Sequence, residues 1–519
     1  PAGASEEGQL EAAHAIEFRN ISKRFGRKTA NDNISFSMDS GEILSLLGEN
    51  GSGKTTLMNM LAGIYYPDEG EILINGTPVQ IRSPRDAFAL KIGMVHQHFK
   101  LVDLFTAAEN ISLGEDGRLD RGEIAAKIRE ISGKYGFIID PDKKIYEMSV
   151  SEKQTVEIVK VLYRGADVLI LDEPTAVLTP QEIAHLFTVL RAMKAEGKSI
   201  IIITHKLNEV MEISDRVTVL RKGEYAGTVD TSETSEGELT EMMVGKKVSL
   251  NIHRSEPKDP EERLIVAHLN VMDREGAKVL DDISFVANAG EILGIAGISG
   301  SGQRELLETI AGLQPIQYGG IQYIRPQDGI IENLRDKTPL EIRNLGVRLS
   351  FVPEDRLGMG LVGSMDIVDN MMLRSYRKGR SAFLQKKEPE DLANTIIRDL
   401  EVVTPSNRTP VRRLSGGNVQ KVLVGREIAA APTVFMAAYP VRGLDINSSY
   451  TIYNLLNAQK ESGVAVIFVG EDLDVLLELC DRILVLCDGR VNGLLDARTT
   501  DKQQVGLLMT RLGGQDHEE

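Results

Sequence analysis

The chain has 519 residues, of which 42% are hydrophobic and 26% charged, so it can bury substantial cores and is neither disordered nor fibrous. Its formal charge of −16 would repel a phosphate backbone. The absence of Trp and an aromatic content of only 5% argue against a base-stacking surface for single-stranded nucleic acid.

The first residues, up to His14, are small and acidic and contain no signal-peptide core. No uninterrupted apolar stretch of about 18 residues follows anywhere in the chain, so no transmembrane helix is expected. A role at a membrane would therefore run through a partner.

The apolar run Ile43–Leu47 leads into Gly48–Glu49–Asn50–Gly51–Ser52–Gly53–Lys54–Thr55, which fits the phosphate-loop pattern G-x-x-x-x-G-K-[ST]. Its glycines let backbone N–H groups converge on phosphates at a helix N-terminus. In that pattern Lys54 reaches the terminal phosphates and the Thr55 hydroxyl ligates Mg²⁺.

Ala107–Glu147 is rich in helix formers and reads as an inserted helical subdomain. The β-branched runs Val168–Leu171 and Ser199–Ile203 read as buried parallel strands, which makes the fold class α/β. Asp172 and Glu173 close the first run, placing one carboxylate for Mg²⁺ and one to polarise an attacking water. A strand-end acidic pair is more often a solvated turn, but a phosphate loop upstream reverses that reading. His205 closes the second run and is expected to contact the γ-phosphate.

The chain then repeats itself. Gly41–Gly70 reads GEILSLLGENGSGKTTLMNMLAGIYYPDEG, and Gly290–Gly319 reads GEILGIAGISGSGQRELLETIAGLQPIQYG. Later, SDRVTVLRKG around Asp215–Arg216 matches CDRILVLCDG around Asp481–Arg482, with a short insertion in the second copy. Two homologous domains are therefore expected, at 14–248 and 263–512, joined by the polar stretch 249–262 as a linker. The two cysteines, Cys480 and Cys487, lie in an apolar stretch and read as core residues rather than a disulfide or a zinc pair.

Together these motifs resemble the nucleotide-binding domains of ABC transporters, twice over and across nearly the whole chain. The resemblance implies two tandem P-loop NTPase (ABC ATPase) domains, each with a helical subdomain. It implies ATP and Mg²⁺ as ligands, with Thr56 continuing the phosphate loop. Gln97 in MVHQHF matches the glutamine that touches the metal site and links the nucleotide to a transmembrane partner. Phe25 in ISKRFG stands where an aromatic stacks on adenine, a core Phe at a strand end being the alternative.

In the second copy, Gln303 and Arg304 stand in place of Lys54 and Thr55. Ala438 and Tyr439 replace Asp172 and Glu173, Glu471 replaces His205, and Glu354 replaces Gln97. That half should not hydrolyse ATP by itself. It keeps Leu414–Ser415–Gly416–Gly417–Asn418, close to the family's LSGGQ signature, where the first half has Met148–Ser149–Val150–Ser151–Glu152. In the family each site pairs one domain's phosphate loop with the other's signature. One competent site is therefore expected, from the first loop and Ser415, Gly416, Gly417 and Asn418, beside one degenerate site. Thr179 lies where many members carry an aspartate that the second half retains as Asp445.

Fused halves with one intact site look like the ATPases of simple-sugar and nucleoside importers, and Val95–Gly114 and Ala437–Ala438 resemble the nucleoside branch. That implies two transmembrane permease subunits, an external substrate-binding lipoprotein that this chain never touches, and a place at the cytoplasmic face of the cell membrane. A ribose- or galactose-type importer is the alternative. A ribosome-associated tandem ABC protein is more remote, because such proteins keep catalytic residues in both halves.

Overall fold

The structure, a computed structural model, describes residues 14–510 apart from 27, 98, 115–119, 177, 246–251, 253, 258–259, 274, 299, 345–348, 354, 377–383, 443 and 445. Glu354, Asp445 and Ser299 of the second phosphate loop thus lie outside the described residues. The chain divides into two compact units, Pro1–Ser249 and Leu250–Glu519.

In the first unit, apolar runs too short for helices form a six-stranded sheet. Its order is Glu224–Asp230, Arg216–Arg221, Ile43–Leu47, Ser199–Thr204, Val168–Asp172 and Ile92–Val95. All its neighbours are parallel except the first pair. Every residue of Ile43–Leu47, Val168–Asp172 and Ser199–Thr204 is buried, as expected where both faces of a parallel sheet are covered. The two-residue period decides which cover each side chain meets. Leu44, Leu46, Ile201 and Ile203 pack toward an antiparallel sheet of Lys28–Asp39, His14–Phe25, Glu69–Ile74 and Thr77–Val79. Ile43, Ile200, Ile202, Leu169 and Leu171 pack toward the helices.

The helical subdomain consists of Ala107–Ile111, Arg121–Tyr135, the 3-10 turn Ile145–Glu147 and Val150–Tyr163. Reciprocal caps start helices of this unit sharply, among them Thr106 with Glu109, Ser149 with Glu152, Thr179 with Glu182 and Ser235 with Glu238. Thr179 thereby has a local structural role, as the cap of helix Pro180–Ala195.

The second unit repeats the plan. Its six-stranded sheet runs Leu349–Val352, Val434–Ala438, Ala465–Val469, Ile292–Ala296, Arg482–Cys487 and Arg490–Asp496. Its antiparallel sheet runs Lys278–Asn288, Glu262–Met272, Tyr318–Ile324 and Ile331–Asn333. Cys480 and Cys487 are buried thiols.

The described part of the stretch between the copies is tied to this unit. Ile252 packs against its core, and Arg254 Nη1 donates to the carbonyls of Leu477 (2.9 Å) and Cys480 (2.6 Å). Lys460 Nζ donates to the Ser255 carbonyl at 2.5 Å and pairs with Asp481 at 2.7 Å, both side chains being buried. No helix among the described residues is long and apolar enough to cross a membrane.

Candidate nucleotide site

In a parallel sheet the loops that leave the C-terminal strand ends share one edge, and ligands bind there. In the first unit the register aligns Leu47 with Thr204, Asp172 with Ile203, and Val95 with Leu171. The phosphate loop, the pair Asp172–Glu173, His205 and Gln97 therefore all leave one edge of four adjacent strands. Gln97 is exposed at that edge.

The loop closes because two positions accept nothing larger than glycine. A Cβ on Gly48 would lie 2.3 Å from the Leu220 carbonyl oxygen, and one on Gly53 would lie 2.4 Å from that of Ala30. Gly53 also needs φ of 97°, which L side chains rarely adopt. Gly51 faces open space, and Glu49 and Asn50 form the rim of the turn that the Ser52 amide closes onto the Glu49 carbonyl at 3.0 Å.

Helix Lys54–Leu61 starts at Gly53 with no side-chain cap, so its first-turn amides remain for an anion. Thr55 and Thr56 stand in that turn, Thr55 exposed. Lys54 Nζ folds over the loop, donating to the carbonyls of Gly48 (2.6 Å) and Glu49 (3.1 Å). Burial pushes its pKa down, against the opposing pull of Glu173, Asp172 and Glu49. Ser52 Oγ is buried without a hydrogen-bond partner. An orphaned hydroxyl, a desolvated ammonium and open amides around a glycine cradle fit a triphosphate.

Glu173 follows its strand in the left-handed region, at φ of 51°, with its amide donating to the Ile203 carbonyl at 2.9 Å. That conformation is uncommon for a non-glycine residue and costs free energy. It leaves the carboxylate 2.8 Å from His205 Nδ1. Among the described residues no group of three or more His, Cys, Asp or Glu side chains could hold a metal. One carboxylate, Asp172, with the Thr55 hydroxyl and Gln97 fits Mg²⁺, which takes few protein ligands and completes its shell with phosphates and water.

Phe25 ends its strand as an exposed ring, not a core residue. Its edge contact with Tyr65 (5.2 Å between centroids) and Lys23 Nζ 5.6 Å from its centroid were not anticipated from the sequence. Another missed residue is Gln154, whose side chain donates to the Pro174 carbonyl at 2.5 Å and so supports the turn after Glu173. Such long-range contacts to a backbone carbonyl leave no signal in sequence spacing.

The second unit preserves the shape and lacks the charges. Gly302 has φ of 97°, as Gly53 has, and buried Gln303 donates to the Ile298 carbonyl at 3.0 Å much as Lys54 does to Glu49. Tyr439 repeats the left-handed turn, and Glu471 pairs with Arg442 at 3.1 Å. Ser415 caps helix Gly416–Ala429, and its hydroxyl accepts from Asn418 Nδ2 at 2.8 Å. Asn418 Oδ1 in turn accepts from the Val403 amide at 2.9 Å.

The ABC transporter family pattern matches residues 31–176 and 280–440. The chain belongs to the ABC transporter family, and its two units are ABC ATPase domains. It is 44% identical to the guanosine import ATP-binding protein NupO of Bacillus subtilis (strain 168), over 96% of this chain and 97% of that protein. It is 40% identical to the nucleoside import ATP-binding protein NupA of Lactococcus lactis subsp. cremoris (95% and 97%). It is 38% identical to the ribose import ATP-binding protein RbsA 1 of Rubrobacter xylanophilus (95% and 98%).

Proposed function

We propose that this chain hydrolyses ATP in its first unit to drive uptake of nucleosides through transmembrane permease subunits. The observation that carries the reading is the gathering of Lys54, Asp172, Glu173 and His205 at one edge of adjacent parallel strands. The amides of Gly48, Glu49, Asn50, Gly51, Ser52, Gly53 and Thr56 and the Lys54 ammonium hold the phosphates. Thr55, Asp172 and Gln97 hold Mg²⁺, which when bound neutralises phosphate charge. Glu173 accepts a proton from the attacking water, and His205 orients that carboxylate and touches the γ-phosphate. Phe25 stacks on adenine. Ser415, Gly416 and Gly417 add phosphate donors, with Asn418 fixing the Ser415 hydroxyl.

The nucleotide domains are 14–248 and 263–512, with 249–262 between them. The second phosphate loop lacks a lysine, a metal-binding hydroxyl and a general base, so it contributes no turnover. The protein works peripherally at the cytoplasmic face of the membrane, held there by two permease subunits that receive substrate from an external lipoprotein.

Nucleosides are favoured as the class carried because the relatives named for guanosine and nucleoside import are 44% and 40% identical. The ribose-import relative at 38% keeps a ribose or galactose substrate as the second reading. The test is uptake of labelled nucleosides, competed with unlabelled ribose and galactose, in cells lacking only this gene. Loss restored by the wild-type chain but not by Glu173→Gln supports the proposal. Intact nucleoside uptake with lost sugar uptake moves the chain to the sugar branch.

A further inference from the structure

Within the second unit, the segment after Glu354 is fastened to the signature helix Gly416–Ala429 at two places. Residues Arg356–Gly360 form a π-helical turn, a rare geometry frequent at functional sites. Asp355 secures it by accepting from the Gly358 amide at 2.8 Å, and the Leu361 amide closes it onto the Arg356 carbonyl at 2.7 Å. At its far end, buried Arg426 on the signature helix donates to the Gly360 carbonyl at 2.7 Å.

At its near end, the Arg356 guanidinium donates to two carbonyls, those of Gly416 (3.5 Å) and Arg442. Gly416 opens the signature helix, and Arg442 lies in the turn after Tyr439. A Cβ on Gly416 would lie 3.2 Å from Arg356 Nη1. A side chain there would displace the flexible end of the arginine by a few tenths of an ångström. Burial and the nearby Arg442 push the Arg356 pKa down, so the guanidinium is held in this place at an electrostatic cost. The first unit repeats the far fastening, Lys160 donating to the Lys100 carbonyl at 3.2 Å and Glu157 accepting from the Lys100 amide at 2.8 Å, but it has Phe99 where the second has Arg356, so the near fastening has no such donor there.

We propose that Arg356 is a positioning residue of the ATPase reaction, which sets the Ser415–Gly417 turn by bridging the carbonyls of Gly416 and Arg442. The inference rests on the ATPase reading above. A planar, two-pronged donor can hold both carbonyls in one geometry, and a lysine ammonium cannot reproduce that fork. Both prongs end on backbone carbonyls, so the arginine acts through the turn that carries the Ser415 hydroxyl.

The experiment compares steady-state ATP hydrolysis over a Mg-ATP series for the full chain, Arg356→Ala, Arg356→Lys, Ser415→Ala and the double variant Arg356→Ala/Ser415→Ala. Arg356→Ala is expected to lower kcat by about tenfold to a hundredfold with the melting temperature held, since misplacing donors penalises the reacting geometry. Arg356→Lys should stay low. The double variant should be little worse than Ser415→Ala alone, because both changes remove one arrangement. Wild-type kcat in Arg356→Ala, or losses that multiply in the double variant, would overturn the proposal. If Arg356→Ala melts early, Arg356→Lys and its double with Ser415→Ala decide by the same criteria. Wild-type turnover in Glu173→Gln would instead sink the underlying ATPase reading, whatever the Arg356 variants do.

Discussion

Glu173 and Tyr439 hold the same left-handed backbone turn after equivalent strands, with φ of 51° and 48°, and each amide donates at 2.9 Å to a carbonyl of the neighbouring strand. The turn is thus independent of the carboxylate. A side chain can be exchanged there without moving the backbone, and the strain is carried by the strand pairing.

Glu173→Gln should therefore fold normally and bind ATP while losing about 10²- to 10⁴-fold in kcat, the range a positioned general base supplies. Parallel measurement of nucleotide-induced melting shift and phosphate release checks this. Retained wild-type hydrolysis would remove Glu173 from its role.

Lys54→Met removes a desolvated ammonium along with its bonds to the Gly48 and Glu49 carbonyls. Excess Mg-ATP should raise the melting temperature of the wild-type chain and leave that of Lys54→Met unchanged, since stabilisation by ligand follows from binding the folded state. The pKa of Lys54 is lowered by burial from 10.5, so in the alkaline window beneath that value the unfolded chain holds more protons than the folded one. Wild-type stability should rise with pH across that window relative to Lys54→Met. A difference between the two that is flat with pH would contradict the assigned cause.

Gln154 and Gln420 occupy the same place on the two signature helices but differ in satisfaction. Gln154 donates to Pro174, whereas both polar atoms of Gln420 are buried without a partner. Gln154→Met should cost about 1–3 kcal/mol, by orphaning a buried carbonyl. Gln420→Met should be neutral or stabilising by about 1 kcal/mol. Urea midpoints of the two variants test this, and equal losses would refute it.

Lys460 and Asp481 form a buried pair, while the corresponding Lys194 and Asp215 are more than a third exposed. Lys460→Met should cost about 1–3 kcal/mol, since it removes a buried charge-assisted bond while Asp481 keeps Arg498 at 3.5 Å and the Ile292 amide at 2.9 Å. Lys194→Met should cost about 1 kcal/mol or less, because solvent screens the pair. The two units need not unfold together, so the transition to follow is that of the unit carrying the change.

The α/β plan and the strand-end side chains were legible because contiguous motifs carry them: a glycine-rich loop after an apolar run, two carboxylates after another, a histidine after a third. What the sequence hid was contact across long separations. Arg254 finds its carbonyl partners at Leu477 and Cys480, so a charged, proline-bearing stretch reads as a connector although its described residues are bonded to the second unit. The left-handed turn at Glu173 was equally invisible, because glutamate carries no mark of positive φ. Gly416 looked like a residue kept small for phosphate, and its contact with the Arg356 guanidinium left no mark in the spacing.

The two phosphate loops, one with Lys54 and one with Gln303, share the left-handed glycine before their helices, Gly53 and Gly302 both at φ of 97°, and differ in charge, so the chain contains its own reference sample. Hydrogen exchange at the amides of 51–54 can be read against those of 300–303 in a single tube, at one pH, temperature and nucleotide concentration. Slowing confined to the first set would report the contribution of the lysine and its metal ligands. Equal slowing would assign the effect to the shape of the loop, a separation that ordinarily requires two proteins.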